Sequence, residues 1–344
     1  MIVRQTIIEF LNLQLPIVDV RSPLEFEAGH IDLAVNIPIL NNQNRIHIGK
    51  TFKQKGRDAA IKLGYELVNP LKPQLLESIN QNIPGKTIAL YCARGGLRSN
   101  HMASFFAENG YTVYVLNGGY KAFRNHLLSL IAKFKHILVL SANTGSGKTE
   151  VLHALKAKGA QVLDLEGLAK HKGSAFGALG NEAQPSSAAF HNLIFEELKQ
   201  YDPNEVIWVE NESFTIGKVH LPIELWSHMK EAAGVEISVP LEDRVKFIQA
   251  DYGRYTADEL VYCIQKLNKR LGDEACRKIC ALVQEGDLSS AIYGLFKYYD
   301  KAYEMGRSKR NCHHYVKIPF ENLDPVKIAE FLYEHQNKYS PEFN

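Results

Sequence analysis

The sequence predicts two α/β domains with parallel sheets, of which the second ends in a mostly helical part. One observation is a cysteine loop near residue 92, between an apolar strand and a helix; a second is a glycine-rich loop near residue 145 in the same setting. The third is the helical spacing of apolar residues over 241–303. Because 344 residues is long for one compact domain, each loop is expected to belong to a domain with its own core.

The composition is that of an ordinary globular protein, with 45% hydrophobic and 23% charged residues. The formal net charge of +2 neither requires nor excludes a nucleic-acid partner, because it averages over all faces. The five cysteines are odd in number and form no Cys-x-x-Cys pair, which indicates a reducing compartment without disulfides. No apolar stretch approaches signal or membrane-spanning length, so we expect a cytoplasmic protein without membrane contact.

The first domain is predicted to alternate strands and helices around a cysteine loop. Hydrophobic periodicity and turn residues mark the boundaries of these elements. They are, in chain order, a helix at residues 4–13, strands at Ile17–Val20 and Ala34–Ile37, a helix at residues 70–82, the strand Tyr111–Leu116, and a helix to about Phe134 that connects the domains.

The cysteine loop contains the candidate nucleophile of the first domain. Cys92 follows the apolar strand Thr87–Tyr91, and a helical pattern begins at Ser99. Backbone N–H groups converge at such a junction and, with the helix dipole, stabilise a thiolate or a bound anion. Arg94 and Arg98 add positive charge, so all three side chains are candidate catalytic residues. The alternative is a buried structural cysteine, which the flanking glycines and arginines make less favoured.

A basic segment at residues 45–64 carries six positive side chains against the single acidic Asp58. Such a run is most often a solvated surface, but it is also how a protein meets a phosphate backbone. A second basic stretch, residues 301–317, is another candidate nucleic-acid face. The candidate nucleic-acid or substrate contacts in the first segment are Arg45, Lys53, Lys55 and Arg57.

The second domain begins with an apolar strand from Ile137, a glycine loop and a helical pattern, as in the phosphate-binding P-loop. Backbone N–H groups of such a loop wrap a phosphate, the lysine adds a point charge, and the threonine hydroxyl can reach a magnesium ion. Ala142 stands where the usual first glycine would be, and a fortuitous glycine turn is the less favoured alternative. The predicted phosphate or diphosphate ligands are Gly145, Ser146, Gly147, Lys148 and Thr149.

Further candidates lie beyond the P-loop. Strands predicted at Gln161–Glu166 and Val206–Glu212 end in carboxylates, which in P-loop folds face the ligand crevice and can hold a metal or a water; helix caps are the alternative. Residues 167–180 form a glycine-rich basic loop that can position a substrate. The candidates are Asp164, Glu166, Glu210 and Glu212 for metal or water, Lys170, His171, Lys172 and Ser174 for substrate or nucleic acid, and Arg244 and Arg254 for phosphates.

The spacing of Cys276, Cys280 and Cys312–His314 matches no usual zinc pattern.

The first domain resembles the rhodanese family. The resemblance rests on the strand end Asp19–Arg21, on Glu25-Phe-x-x-Gly-His-Ile31, and on the cysteine loop, in that order. Five residues rather than four separate Cys92 from Arg98, as in rhodanese-fold phosphatases, so the loop should admit an anion as large as a substituted phosphate. The closing Asn117–Phe123 stretch also fits. The predicted domains are therefore a rhodanese-like domain at 1–124, a helical connector at 125–135, and a P-loop domain with a helical subdomain at 136–344.

A rhodanese domain, a basic connector and a P-loop domain in one chain resemble the bacterial tRNA 2-selenouridine synthase family. The resemblance rests on residues 45–64, 91–99, 143–149, 164–177 and 210–222. It implies replacement of sulfur by selenium at C2 of wobble 2-thiouridine, with selenophosphate as donor and an S-geranyl intermediate made from geranyl diphosphate. It implies tRNA as partner, a selenophosphate-supplying enzyme as a further candidate partner, and no tightly bound cofactor, with the need for magnesium left open.

Two other functions fit the residues. One is a rhodanese-type sulfurtransferase or phosphatase fused to a P-loop kinase that does not act on RNA, and the length of the cysteine loop supports it. The other is a non-enzymatic P-loop adaptor that binds tRNA, in which the rhodanese domain only carries sulfur. The first predicts turnover without tRNA and no salt-sensitive RNA binding, whereas the second predicts labelling of Cys92 without a change in the base.

Overall fold

The computed structural model describes residues 1–174, 176–177, 179–180, 182–307 and 315–339. The chain divides into two compact units, Met1–Ser129 and Leu130–Asn344, each built on a five-stranded parallel sheet. The predicted fold class is thereby confirmed. The predicted boundary at residue 124 and the connector at 125–135 stay predictions. One helix, Gly119–Ile131, crosses the boundary and ends within the connector.

Unit 1 has the strand order β1-β5-β4-β2-β3, with every pairing parallel. Its apolar core lies between the sheet and the helices that cross over it, because buried parallel strands need both faces covered. The elements are β1 Ile2–Gln5, α1 Ile7–Leu11, β2 Ile17–Asp19, α2 Pro23–Glu27, β3 Val35–Asn36, α3 Asn42–Val68, a 3₁₀ turn Asn69–Leu71, α4 Lys72–Asn82, β4 Thr87–Tyr91, α5 Leu97–Glu108, β5 Thr112–Leu116 and α6 Gly119–Ile131.

The prediction of a helix over residues 4–13 was wrong at its start. Residues Ile2–Gln5 form the edge strand β1, which pairs in parallel with β5. Helix α1 begins only after Thr6, whose hydroxyl accepts the N–H of Glu9 in a capping box. The helical spacing of apolar residues in this short stretch concealed a strand that tertiary pairing stabilises.

Unit 2 has the strand order β12-β11-β6-β8-β7, again parallel, and a separate two-stranded hairpin. The helices after β11 form the predicted helical part, with its own apolar cluster. The elements are β6 Ile137–Ala142, α7 Lys148–Ala157, β7 Gln161–Leu163, α8 Leu165–Ala169, α9 Ser187–Leu198, β8 Ile207–Glu210, β9 Thr215–Ile216, β10 Val219–His220, α10 Ile223–Glu231, β11 Ala233–Ser238, α11 Leu241–Tyr252, α12 Ala257–Lys266, α13 Asn268–Leu271, α14 Asp273–Gln284, α15 Leu288–Arg307, β12 Tyr315–Pro319 and α16 Pro325–Tyr339.

Two predictions for unit 2 need correction. The strand expected at Gln161–Glu166 ends at Leu163, because Asp164 accepts the N–H of Gly167 at 2.7 Å and caps helix α8. The C-terminal part also contains β12, which pairs with β11 at the sheet edge and which the sequence analysis missed. Among the described residues, no helix is long and apolar enough to cross a membrane.

The buried ion pair Asp19–Arg21 fixes the strand ends of unit 1. Asp19 is fully buried and Arg21 nearly so, and the guanidinium Nη2 lies 2.6 Å from Asp19 Oδ2. Arg21 also donates to Gly29 O at 2.7 Å and stacks over Tyr120, with 4.0 Å from the guanidinium carbon to the ring centre. A buried pair of this kind is costly to break, because the remaining charge would stay in a low-dielectric core.

We predict that Arg21→Met destabilises unit 1 by about 3–5 kcal/mol, because Asp19 is then buried without its partner. Urea unfolding should show this as an earlier circular-dichroism transition. Both tryptophans, Trp208 and Trp226, lie in unit 2, so their fluorescence should shift less. The exposed Arg4→Met is the control, with an expected change within about 0.5 kcal/mol. A wild-type midpoint for Arg21→Met would contradict the role given to this pair.

Candidate functional site

The cysteine loop lies at the C-terminal end of β4, in the middle of the unit 1 sheet. It packs against the turn that precedes α6. The N–H of Tyr120 donates to Cys92 O at 2.8 Å, and a Cβ built on Gly119 would lie 2.2 Å from that same oxygen. Gly119 also has a φ of +58°, so this contact requires glycine. The turn that the sequence analysis noted as a closing motif therefore supports the cysteine loop.

The thiol of Cys92 is buried and hydrogen-bonded. It donates to Ser99 Oγ at 3.3 Å, and Ser99 Oγ donates in turn to Gly96 O at 3.1 Å. Burial opposes ionisation of the thiol, but the Ser99 hydroxyl, the Arg94 backbone N–H and the charge of Arg98 outweigh it, so the pKa of Cys92 lies below its ordinary value. This supports the prediction of an easily formed thiolate.

The two arginines of the loop differ in their surroundings. Arg98 is held by two hydrogen bonds to Glu25, at 2.6 and 3.1 Å, whereas the side chain of Arg94 is exposed. Burial raises the pKa of Glu25, but its bonds to Arg98 and to the backbone of Ser22 outweigh this and lower the pKa to about 2. Glu25 therefore fixes Arg98 beside the loop. The sequence analysis did not assign this role, although Ser22-x-x-Glu25 is a capping-box signal.

The basic segment forms most of α3, which is interrupted at Gly56, where φ is 84°. Arg45 and Arg57 line a cavity on the side of α5, and Arg45 Nε also lies 3.5 Å from Glu25 Oε2. Lys53 and Arg45 line a second cavity, of about 470 Å³. Lys55 is exposed and lines neither. The segment thus places Arg45 near the cysteine loop, through the carboxylate it shares with Arg98, and places Arg57 on the cavity that Leu97 and Arg98 also line.

The P-loop of unit 2 follows the central strand β6 and leads into α7. Gly145 and Gly147 have φ values of +82° and +65°, and a Cβ on Gly145 would lie 2.8 Å from Arg244 O. These left-handed residues turn successive N–H groups inward, as an anion-binding nest requires. Ser146 Oγ is buried and has no hydrogen-bond partner in the part of the chain described. The loop therefore offers donors suited to a phosphate group.

Lys148 lies beside two carboxylates at the end of this loop. Its Nζ is 3.2 Å from Glu212 Oε1, and Thr149 Oγ1 is 3.4 Å from Glu166 Oε2. Burial lowers the pKa of Lys148, but Glu212 and Glu166 outweigh it and raise the pKa overall. For Glu166, burial and the charge of Glu212 exceed the effect of Lys148 and raise the pKa to about 8. Glu212 is thus the main negative charge that keeps Lys148 protonated, while Glu166 holds its own proton up to a pKa of about 8.

Asp164 and Glu210 hold α8 in place. Glu210 is fully buried and accepts the N–H groups of Leu165 at 2.9 Å and Glu166 at 3.3 Å. Burial and the charge of Asp164 raise the pKa of Glu210 well above its ordinary value. Burial also raises the pKa of Asp164, but hydrogen bonds from Glu210 and His153 outweigh it and lower the pKa. The helix-cap alternative therefore describes Asp164, while its metal or water role stays a prediction.

A cavity of about 550 Å³ is lined by the P-loop and by most of the other candidate site residues of unit 2. Glu210 does not line it, and Glu212 lines an adjoining cavity of about 410 Å³. Lys172 Nζ lies 2.6 Å from Asp251 Oδ2, and Lys170 pairs with Glu182, so both lysines have acidic partners. The predicted residues in the larger cavity are Gly145–Thr149, Asp164, Glu166, Lys170, His171, Lys172 and Ser174; those that sequence analysis missed are His153, Asp251, Tyr252 and Tyr303.

Arg244, which the sequence predicted as a phosphate contact, is not exposed at the surface. It is buried, with its Nε donating to Thr144 O at 2.8 Å and its Nη2 lying 2.6 Å from Asp300 Oδ1. Its role is to support the P-loop from behind, and it offers no exposed group to a nucleic acid. Arg254 is exposed and pairs with Asp251, so its predicted phosphate contact stays a prediction. Lys309, Arg310 and Cys312–His314 lie outside the described residues.

No group of three or more His, Cys, Asp or Glu side chains is arranged for a metal ion within the described ranges. Cys276 is buried and its thiol donates to Ile264 O at 3.7 Å, as expected for a cysteine packed between helices.

The fold and the two loops define a P-loop protein with a rhodanese-like domain. The family model described as the tRNA 2-selenouridine synthase AAA domain matches residues 135–337, and the model of the rhodanese-like domain matches residues 5–126. The chain belongs to the tRNA 2-selenouridine synthase family. This membership favours tRNA 2-selenouridine synthesis over the two alternatives, a sulfurtransferase or phosphatase fused to a kinase and a non-enzymatic tRNA adaptor.

Curated proteins support this membership. The tRNA 2-selenouridine synthase of Hydrogenovibrio crunogenus is 34% identical over 352 residues, which cover 91% of this chain and 94% of the relative. That of Sulfurovum sp. is 33% identical over 93% of this chain and 95% of its own length. The enzyme of Nitrosomonas europaea is 40% identical over 69% of this chain, but the match spans only 63% of that relative.

We predict that Ser99→Ala raises the pKa of Cys92, because the hydroxyl that stabilises the thiolate is lost. Thiolate absorbance in the far ultraviolet, titrated against pH, should shift to higher pH. The absorbance of a Cys92→Ser variant, which retains the other cysteines, is subtracted as background. Asn100→Ala on the same helix is the control. An unchanged titration for Ser99→Ala would show that the hydrogen bond does not tune the thiol.

We predict that the free energy of unfolding of the wild type falls as the pH rises, and that Glu166→Gln reduces this fall. Because folding raises the pKa of Glu166 from 4.5 to about 8, the folded state holds a proton that the unfolded state has lost. The wild-type unfolding free energy should therefore fall between about pH 5 and 8, by at most about 1.4 kcal/mol per pH unit from this group. Tryptophan fluorescence in urea measures it, with exposed Glu205→Gln as control. Parallel profiles for wild type and Glu166→Gln would refute the raised pKa.

Proposed function

We propose that this chain replaces the sulfur of wobble 2-thiouridine in tRNA by selenium in two steps, at two separate sites. The observation that carries the proposal is that one chain holds two anion-binding loops, each after a central parallel strand, and only one of them contains a thiol. Geranylation of the sulfur belongs to the P-loop, and selenium transfer belongs to the Cys92 loop. Family membership supports the overall reaction.

In the first step, the base sulfur attacks the first carbon of geranyl diphosphate. A C–S bond forms, the C–O bond breaks, diphosphate leaves, and the base loses its N3 proton. The backbone N–H groups of Gly145–Thr149 and the charge of Lys148 stabilise the leaving diphosphate, which gains negative charge in the transition state. The diphosphate competes with Glu212 for Lys148. The cavity of about 550 Å³ has room for the diphosphate.

Magnesium is consistent with this site. Thr149 Oγ1 and Glu166 Oε2 lie 3.4 Å apart and are hard oxygen donors, so they would hold a magnesium ion that enters with the diphosphate. The ion would supply further positive charge to the leaving group. Its binding would favour the ionised form of Glu166 and so lower the raised pKa of this carboxyl group.

In the second step, selenium from selenophosphate replaces the thioether at C2. A C–Se bond forms, the C2–S bond breaks, and geranylthiol leaves with a proton; water cleaves the P–Se bond and releases phosphate. Arg94, Arg98 and the backbone N–H groups of the Cys92 loop bind the selenophosphate, which is a compact anion of the kind that such loops accept. A selenophosphate-producing enzyme must supply this donor.

The tRNA is proposed to contact the exposed cations of α3, namely Lys53, Lys55 and Arg57. Phosphate contacts by such residues give affinity without sequence discrimination and should weaken as the salt concentration rises. In unit 2, Lys170, Lys172 and Ser174 lie along the P-loop cavity, where the substrate base must approach the diphosphate.

We predict that the two steps fail separately in two variants of the full chain. Cys92→Ser should geranylate 2-thiouridine tRNA normally but should not convert purified S-geranyl tRNA to 2-selenouridine. Lys148→Met should lose geranylation by about 10²-fold or more, because the diphosphate loses its point charge, but should retain selenation of S-geranyl tRNA. Nucleoside mass spectrometry measures both. The exposed Lys158→Met is the control, and loss of both reactions in a folded Cys92→Ser would contradict separate sites.

A further inference from the structure

Unit 1 contains an apolar cavity of about 270 Å³ that neither of the two proposed reaction steps uses. It lies between α3 and the beginning of α5, the helix that the Cys92 loop leads into. Nine of its fourteen lining residues have aliphatic or aromatic side chains. Among them are Ile39, Leu40, Ile48, Phe52, Ile61 and Val68.

The cavity has polar groups at a few defined places. Arg45, Arg57 and Arg98 line it, and Arg98 is oriented by its two bonds to Glu25. His101 also lines it, and its Nε2 is buried without a hydrogen-bond partner among the described residues. Burial and the charge of Lys72 lower the pKa of His101. The walls therefore suit an apolar chain that is attached to a polar or anionic group.

We propose that this cavity holds the geranyl chain of the S-geranyl-2-thiouridine base while selenium replaces the thioether at the Cys92 loop. The inference rests on the proposed function and specifies a substrate subsite for its second step. Apolar contacts then bind the modified base in preference to unmodified 2-thiouridine, because a ten-carbon chain leaves water for a matching apolar surface.

The cavity size matches this occupant. A dry apolar cavity of about 150 Å³ accommodates the six carbons of benzene, so ten carbons need on the order of 250 Å³. The apolar cavity between α3 and α5, about 270 Å³, meets this requirement. The apolar cavity next to the P-loop, lined by Phe176 and Ile248 among others, measures only about 50 Å³ and does not.

The position also fits the chemistry. Leu97 and Arg98 form part of the cavity wall, and the next residue, Ser99, accepts the Cys92 thiol hydrogen bond at 3.3 Å. The geranyl chain is bonded to the sulfur that departs from C2. A chain in the cavity therefore places its thioether end next to the loop that binds the selenium donor. The same pocket retains the chain as geranylthiol forms.

Gly64 of α3 provides a direct test, because it lines the cavity and has no side chain. A Cβ at this position would meet only Ile48 Cδ1, at 3.8 Å, and its φ is not in the left-handed region. Larger residues should therefore fill the cavity without backbone strain and should improve helix propensity. The series Gly64→Ala, Gly64→Val and Gly64→Leu reduces the cavity in steps, and exposed Glu66→Leu on the same helix is the matched control.

The experiment measures both half-reactions of the full chain and its variants by nucleoside mass spectrometry. For selenation of S-geranyl tRNA, KM should rise along the Gly64 series, by tenfold or more for Gly64→Leu. Geranylation of 2-thiouridine tRNA should change less than twofold, as should both reactions of Glu66→Leu. An S-methyl-2-thiouridine tRNA, which lacks the long chain, should be selenated equally by wild type and Gly64→Leu.

Two outcomes would overturn the inference. One is a wild-type KM for S-geranyl tRNA in all three Gly64 variants. The other is an equal loss with the S-methyl substrate, which would mean that the substitutions disturb the Cys92 loop rather than the chain subsite. Because Gly64→Ala is the mildest change, it keeps the test valid should the leucine variant fold poorly. If wild type itself performs neither half-reaction, the proposed function fails, and this result is distinct from both.

Discussion

A cation in a low-dielectric site needs a carboxylate nearby, and both anion-binding loops of this protein follow that constraint. In unit 1, Glu25 holds Arg98 with two hydrogen bonds, and in unit 2, Glu212 lies 3.2 Å from Lys148. Each carboxylate holds its cation in a fixed orientation at the loop. We propose that an anionic substrate competes with, or completes, an existing ion pair, and that each site would therefore favour compact, highly charged ligands such as diphosphate or selenophosphate.

Local motifs in the sequence were sufficient to predict the two loops and the fold class. Cys92 and Lys148 each stand in a strand–loop–helix context that a short window reveals. The carboxylates that pair with the loop cations were not predictable in this way. Glu25 is 73 residues from Arg98, and Glu212 is 64 residues from Lys148, so only tertiary folding brings each pair together. Burial of Arg244 beneath the P-loop was hidden for the same reason.

The sequence contained evidence against some of the element boundaries that were predicted wrongly. Asp164 ends strand β7 by capping α8, and Asp followed by Leu-Glu-Gly is a recognisable helix start, yet the apolar run before it favoured a longer strand. The helix predicted at residues 4–13 included Arg4 and Gln5, the end of strand β1, because a strand of four residues gives too few positions to separate the two periodicities. The apolar cavity of unit 1 has no signal at all, since its walls come from α3, α5 and the segment after β3.

Geranylation and selenation are proposed to be successive reactions at different loops. The most direct test of this proposal follows one sample of wild-type protein and 2-thiouridine tRNA by nucleoside mass spectrometry, first with geranyl diphosphate and then with selenophosphate added. S-geranyl-2-thiouridine should accumulate before selenophosphate is added and should be converted to 2-selenouridine afterwards. Formation of 2-selenouridine at full rate without geranyl diphosphate, with no geranylated nucleoside at any time, would contradict the proposal.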